Sequence, residues 1–326
     1  MRGGGVRLGC TKVIDADEEI AKAVALAKEV EQVVICAGLT VSTEPRTSNI
    51  TAKSNEELIS VSMQAEWESE GFDRADMALP GRTNDLIRAV SAANPRTAVV
   101  IQSGTPVEMP WAAAVPALVQ APYGGNEGAA PSGKLVYTIP ERVEDNPAFL
   151  NFGSENGRVL YGEDVYVGYR FYEKTKRAPL FPFGHGLSYT AFELGGFQVS
   201  QEQQQQQQQH NDRAAEEMVK VAVGVKNVGE VAGAAVVQVY VAQQRPSINR
   251  PPKELKGFEK IHLEPKGVGN VTVDIPQRYA ASYWDEDAGK WIMEAGTYDV
   301  LVGQSSVDVA LAGTFTVEKT SWWLGL

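Results

Sequence analysis

The chain has 326 residues with 43 % hydrophobic side chains, enough for two domains with cores of their own. A net charge of −11 and a pI near 4.9, with no basic stripe, argue against nucleic acid or an anionic membrane as partner. Cys10 and Cys36 make no disulfide framework, no Cys/His spacing suggests zinc, and no apolar run reaches the ~18 residues of a spanning helix.

In chain order, the clearest helix is expected over 17–30. Ile20, Val24, Ala27 and Val30 fall on one face, acids lead, lysines follow, and Asp15 or Asp17 caps it. Residues 32–38, an apolar run closed by Gly38, read as a buried strand of a parallel sheet. A second helix is expected over 80–94, with Leu86, Ile87, Val90 and Ala93 inward, then a strand over 97–102. A weaker helix follows over 111–119, with a strand starting near Leu118. This alternation predicts an open α/β layer structure, whose sites lie beyond the carboxyl ends of strands.

One stretch in that region carries chemistry. Glu66-Trp-Glu-Ser-Glu-Gly-Phe-Asp-Arg74 sets three carboxylates beside an indole and a glycine. On local sequence alone it is either a solvated acidic loop or a site where an aromatic wall raises the pKa of an acid for proton transfer. The N-terminal Met-Arg-Gly-Gly-Gly lacks the apolar core of a signal peptide, so nothing within this chain directs export.

From 141 to 192 the sequence is dense in Pro, Gly, Tyr and Phe, and reads as a connector packed on the first domain, since free linkers are poor in aromatics. Seven short strands with turn residues between them follow over 193–320, the pattern of a β-sandwich without the Cys…Trp…Cys signature of an immunoglobulin domain. The glutamine run is expected to be a disordered loop over 201–213.

The acidic stretch is one of six motifs that occur in order. The others are Met77-Ala-Leu-Pro-Gly81, Gln102-Ser-Gly-Thr-Pro-Val-Glu-Met-Pro-Trp111, Gly124-Gly-Asn-Glu127, Pro131-Ser-Gly-Lys-Leu135 and Phe181-Pro-Phe-Gly-His-Gly-Leu-Ser-Tyr189. Together they resemble the C-terminal half of a family 3 glycoside hydrolase, of the fungal β-glucosidase type with an inserted domain. The resemblance implies an α/β sandwich over 1–140 and a fibronectin III-like domain over 193–320. It also implies an N-terminal (β/α)8 barrel, absent here, bearing the nucleophile. The reaction implied is retaining hydrolysis of terminal β-D-glucosyl residues, with no metal or cofactor. In the family the acid/base residue precedes the Asp-Arg pair by about five positions, which selects Glu68, with Glu66 and Glu70 as alternatives. Trp67 is a candidate sugar wall or a packing residue. Asp73-Arg74 is expected to be a structural ion pair and His185 a structural histidine. Without the barrel, the isolated chain is expected to be inactive. A non-catalytic carbohydrate- or protein-binding module, suggested by the β-sandwich, the glutamine loop and Trp322-Trp323, is the alternative.

Two departures from the family stand out. Residues 41–64 interrupt the family spacing between Leu39 and Glu66. Val-Ser at their start is encodable by GTAAGT and Met-Gln at their end by a codon string closing in CAG, so a retained intron competes with a loop insertion. A floppy excursion is expected of them. Farther on, Gly124-Gly-Asn-Glu runs almost directly into Pro131-Ser-Gly, omitting a helix and turn that the family places there.

Overall fold

The computed structural model describes residues 15–39, 49–51, 58–62, 74, 76–121, 130–153, 155–204 and 216–324, with the backbone alone at 49–51, 58–62, 203–204 and 216. The chain divides into two compact units, Met1–Asn126 with Pro140–Asp145, and Glu127–Ile139 with Asn146–Leu326. Of the connector expected at 141–192, the stretch to Asp145 thus groups with the first unit and the remainder with the second.

In the first unit, α1 (Ala16–Glu29) starts at Asp15, whose carboxylate accepts from the Asp17 and Glu18 amides at 2.9 and 3.4 Å. That satisfies donors a helix start leaves orphaned. Ala23 and Ala27 are its most buried positions. Strand β1 (Val33–Gly38) buries Val33 and Ile35 completely. β2 (Asn49–Thr51) and β3 (Leu58–Ser62) come next, then α2 (Thr83–Ala93), β4 (Thr97–Gln102) and β5 (Ala117–Gln120). The sheet order is β2-β3-β1-β4-β5, parallel except for β2 against β3. This is the open α/β layer read from the alternation of helix and strand.

Three local readings change. Helix α2 begins at Thr83 because Gly81 sits at φ 55, and the Thr83 hydroxyl donates to Pro80 O at 2.6 Å. No helix forms over 111–119. A single 3-10 turn, Ala112–Ala114, stops short of Pro116, which disfavours helical backbone at Val115, and β5 takes over. Finally, β2 and β3 lie inside the 41–64 segment, where an unstructured excursion was expected. The alternation Leu58-Ile-Ser-Val-Ser62 is strand-forming, and β3 pairs with β1 from Val34↔Leu58 to Cys36↔Ser60. The origin of the segment is decided by transcripts. We expect a spliced message lacking the codons for 41–64; one uninterrupted exon in every transcript would make the segment a genuine insertion.

The second unit contains α3 (Tyr169–Thr175) and then the sandwich. Its strands are β6 (Phe192–Gln204), β7 (Glu216–Asn227), β8 (Gly233–Gln243), β9 (Glu254–Leu263) and β10 (Val268–Pro276). After the short helix α4 (Gln277–Ala281) come β11 (Tyr283–Asp285), β12 (Lys290–Met293), β13 (Gly296–Gly303), β14 (Val309–Val317) and β15 (Ser321–Trp323). One sheet is β10-β7-β6, and the other is β14-β13-β8-β9. Between them lies a valine-rich core supplied by alternate residues: Val219, Val221, Val223 and Val225 of β7 meet Val237, Val239 and Val241 of β8 and Val300 and Val302 of β13. The seven expected strands are all present, as the fibronectin III-like reading requires. A small third sheet, β11-β12-β15, was not foreseen. The glutamine run enters later than expected, because β6 continues through Gln204 against β7. The Gln201 side chain explains part of this, exchanging hydrogen bonds with the Thr316 backbone at 2.8 and 3.3 Å. Residues 205–215 lie outside the described residues.

Asn227, fully buried at the end of β7, holds one end of the sandwich. Its Nδ2 donates to Val231 O (2.8 Å) and Leu263 O (3.2 Å), and its Oδ1 accepts from the Gly229 amide (3.1 Å) and the Thr190 hydroxyl (2.5 Å). Asn227→Ala leaves these groups without partners, so a loss of about 3 kcal/mol in denaturant unfolding is expected. Asn227→Asp should cost as much, because a carboxylate would then face two carbonyls.

Candidate active-site loop and its frame

The described residues on either side of the acidic stretch in sequence are Ser62, at the end of β3, and Arg74, and β3 lies beside β1, which lies beside β4. At the end of β1, Gly38 lies so close to β4 that a Cβ there would sit 1.9 Å from Gln102 O. The next amide, Leu39 N, donates to that same oxygen at 2.9 Å. The end of β5 is tied in as well, since Gln120 Nε2 donates to Ser103 Oγ at 3.0 Å. Strand β3 runs parallel to β1 and ends at Ser62, just ahead of the acidic residues.

On the far side, Arg74 pins the returning chain. Its guanidinium donates to Ala78 O at 2.9 Å, Thr105 Oγ1 at 3.2 Å and Pro106 O at 3.4 Å. The Glu108 amide donates to Met77 O at 2.8 Å, and the Glu108 carboxylate accepts from Val143 N at 2.9 Å. Beneath this lattice Met77, Leu79, Val107, Met109 and Trp111 are buried, and the Trp111 indole N–H donates to Asn84 Oδ1 at 2.8 Å. The motif 102–111 thus forms the platform that receives Arg74 and Met77. Sequence reasoning used that motif for resemblance and missed its task, although a half-buried arginine needs oxygens to accept from it, and Thr105 and Pro106 of the motif supply two.

Glu66, Trp67, Glu68, Glu70 and Asp73 lie outside the described residues. The acceptors given above for Arg74 are the Ala78 and Pro106 carbonyls and the Thr105 hydroxyl; the pairing expected with Asp73 involves a residue outside the described ones. His185 belongs to the second unit and is structural in its contacts. Its ring stacks on Phe181 at 5.4 Å, and its backbone pairs with Leu135 and Pro182. Burial, followed by the nearby Lys134 charge, lowers its pKa and favours the neutral ring. The motifs at 131–135 and 181–189 prove to be one clasp: Leu135 and Ile139 pair with Gly184, His185 and Phe181, and Lys134 Nζ donates to Gly186 O at 2.6 Å. The two C-terminal tryptophans differ. Trp323 is packed against Trp291 (5.6 Å, stacked) and Tyr279, and its indole N–H donates to Ser282 Oγ at 2.9 Å, whereas Trp322 is 52 % exposed.

Residues 6–189 match the glycosyl hydrolase family 3 C-terminal domain, and residues 235–306 match the fibronectin type III-like domain. Over 99 % of its length the chain is 47 % identical to a probable beta-glucosidase I of Aspergillus terreus. It is 44 % identical to a beta-glucosidase of Kluyveromyces marxianus. The crystal structure of the latter enzyme in complex with glucose superposes with a TM-score of 0.80 at 45 % identity, covering 97 % of this chain and 35 % of that one. A family 3 beta-glucosidase from Bifidobacterium adolescentis superposes with a TM-score of 0.76 at 33 % identity, covering 94 % of this chain and 42 % of that one. The chain spans about 36 % of the length of the curated relatives it matches. It belongs to glycosyl hydrolase family 3, of which it holds the C-terminal domain followed by a fibronectin type III-like domain.

Proposed function

We propose that this chain supplies the acid/base half of a retaining β-glucosidase, acting on terminal β-D-glucosyl residues together with an N-terminal barrel that carries the nucleophile. The observation that carries this reading is the frame of the acidic loop. With or without the 41–64 segment, Glu68 follows the carboxyl end of a parallel strand, and the chain is caught again at Arg74 by the loop after β4. Open α/β sheets bind ligands at that edge.

Within it, Glu68 protonates the glycosidic oxygen while the partner carboxylate attacks the anomeric carbon. Glu68, now a carboxylate, then takes a proton from the water that releases glucose. Glu66 and Glu70 are the alternatives, and Trp67 is the candidate wall for a sugar face. The test is an assay of the purified chain on an aryl β-glucoside. No turnover above background is expected, because half of the carboxylate pair is missing. Robust turnover that Glu68→Gln abolishes would overturn the division of labour.

A further inference from the structure

We propose that the second unit holds a small ligand site beside α3, for one neutral polyhydroxylated molecule no larger than a single sugar ring. A cavity of about 200 Å³ lies there, lined only by residues of that unit, among them Thr138, Tyr169, Tyr172, Glu173 and Lys253. It is smaller than the roughly 300–1,000 Å³ that encloses a drug-sized ligand, so one ring or a shorter polyol is the size that fits.

The walls follow from local structure. Tyr169, Tyr172 and Glu173 stand at i, i+3 and i+4 of α3 and share one face of the helix. Tyr169 is held from several sides: its hydroxyl accepts from Leu255 N at 2.8 Å, and its ring lies 5.0 Å from Phe183 and 5.8 Å from Tyr240. Lys253, 5 % exposed just ahead of β9, pairs with Glu173 Oε1, and its ammonium sits 5.6 Å from the Tyr240 ring. Val307 and Val309 supply an apolar side.

Two hydrogen-bonding groups of these lining residues are unused. Thr138 is 7 % exposed, and its Oγ1 has no partner among the described residues. Glu173 Oε2 has none either, although Oε1 of the same carboxylate is paired. Buried oxygens are rarely left in this state, and two on the lining of one cavity point to a ligand that brings donors. Both are closed over by their neighbours, so binding turns each side chain, Glu173 about its soft terminal torsion and Thr138 about χ1. The charges select a neutral molecule: an anion would meet the Glu173 carboxylate, and a cation would meet Lys253 and Arg177. A carboxylate only accepts, while a threonine hydroxyl accepts and donates. Hydroxyl groups satisfy both, and the C–H face of a polyol packs on tyrosine and valine.

The test labels valine methyl groups with 13C and titrates the whole chain with D-glucose and with glycerol. Saturable shifts of the Val309 methyls are expected, in Glu68→Gln as in the parent. Thr138→Val removes the hydroxyl at nearly constant shape and should weaken binding about fivefold. It deletes an unpaired buried group, so the thermal midpoint without probe should not fall. Should T138V fail to fold, Val307→Trp carries the same test, because that position is 69 % exposed and the larger ring narrows the cavity. Saturation by glucose alone makes the ligand a sugar ring, and by glycerol alone a shorter polyol. The proposal is overturned by a linear response to both probes, by a folded T138V that binds as tightly as its parent, or by cellobiose binding as well as glucose. Glucose binding that E68Q abolishes and T138V spares also overturns it and places the sugar at the acidic stretch. Binding lost in T138V and kept in E68Q stands whatever becomes of the acid/base assignment.

Discussion

Glu68→Gln, made in a fusion that restores the N-terminal portion, is expected to slow hydrolysis of an alkyl β-glucoside by about a thousandfold, within the 10²–10⁴ range that general acid catalysis supplies. The size of the loss should follow the leaving group. An alkoxide is a strong base and departs only if protonated, so removing the acid costs the full amount. A dinitrophenolate needs no proton, and formation of the glycosyl-enzyme from that substrate should be nearly unaffected, with the block moved to its hydrolysis. A pre-steady-state burst with the activated substrate and its absence with the alkyl one is the expected pattern. A merely structural role for Glu68 would slow both substrates equally. The same comparison with Glu66→Gln and Glu70→Gln separates the three carboxylates, since only the true acid yields a leaving-group-dependent loss. If Glu66→Gln or Glu70→Gln shows that pattern and Glu68→Gln does not, the assignment moves to that residue.

Gly38→Ala is expected to destabilise the first unit by about 3 kcal/mol or more, because an added methyl group meets a backbone it cannot push aside. The obstructing atoms are Gln102 O at 1.9 Å and Gln102 C at 2.8 Å, in the strand directly paired with Gly38. A long flexible side chain would swing away, whereas a carbonyl held in a parallel ladder will not. The clash falls at the carboxyl end of β1, where Leu39 N donates to the same oxygen, so relief of the strain displaces that end of the strand against β4. Chemical unfolding should show the stability loss, and the active fusion should lose turnover beyond it. Gly133→Ala is the control. Nothing lies within 4 Å of the place its new methyl group would take, and its φ is outside the left-handed region, so less than about 0.5 kcal/mol is expected. A neutral Gly38→Ala would mean that β1 and β4 do not approach as described.

Legibility in the sequence followed the length and regularity of each element. Asp15 with its acids, the apolar run of β1, and the valine alternation of β7 and β8 each state their structure locally, and the fold agrees with them. The failures have particular causes. Pro116 overrode a run of alanines that favoured helix. Strand β3 is five residues in a polar stretch, and its alternation is visible only when the sheet edge of β1 is considered with it. Strands β11, β12 and β15 have three or four residues each, and they are held by indole pairs such as Trp284 with Trp291 rather than by strand propensity. As for the candidate site, the order of the motifs pointed to the acidic stretch, but the bonds of Arg74, the next described residue, to Thr105 and Pro106 span some thirty positions of sequence, with no periodicity to announce them.

The boundary between the two units has a practical meaning. The polypeptide passes from one to the other after Asn126, back after Ile139, and over again after Asp145. A protease that severs one peptide bond therefore sets neither unit loose. A cut after Asn126, for instance, leaves Pro140–Asp145 covalently with the second unit while Val143 stays bonded to Glu108 of the first. Attempts to express either half from a single truncation point will carry off a strip that the other half needs, and three coordinated cuts, after Asn126, Ile139 and Asp145, are the minimum for a clean separation.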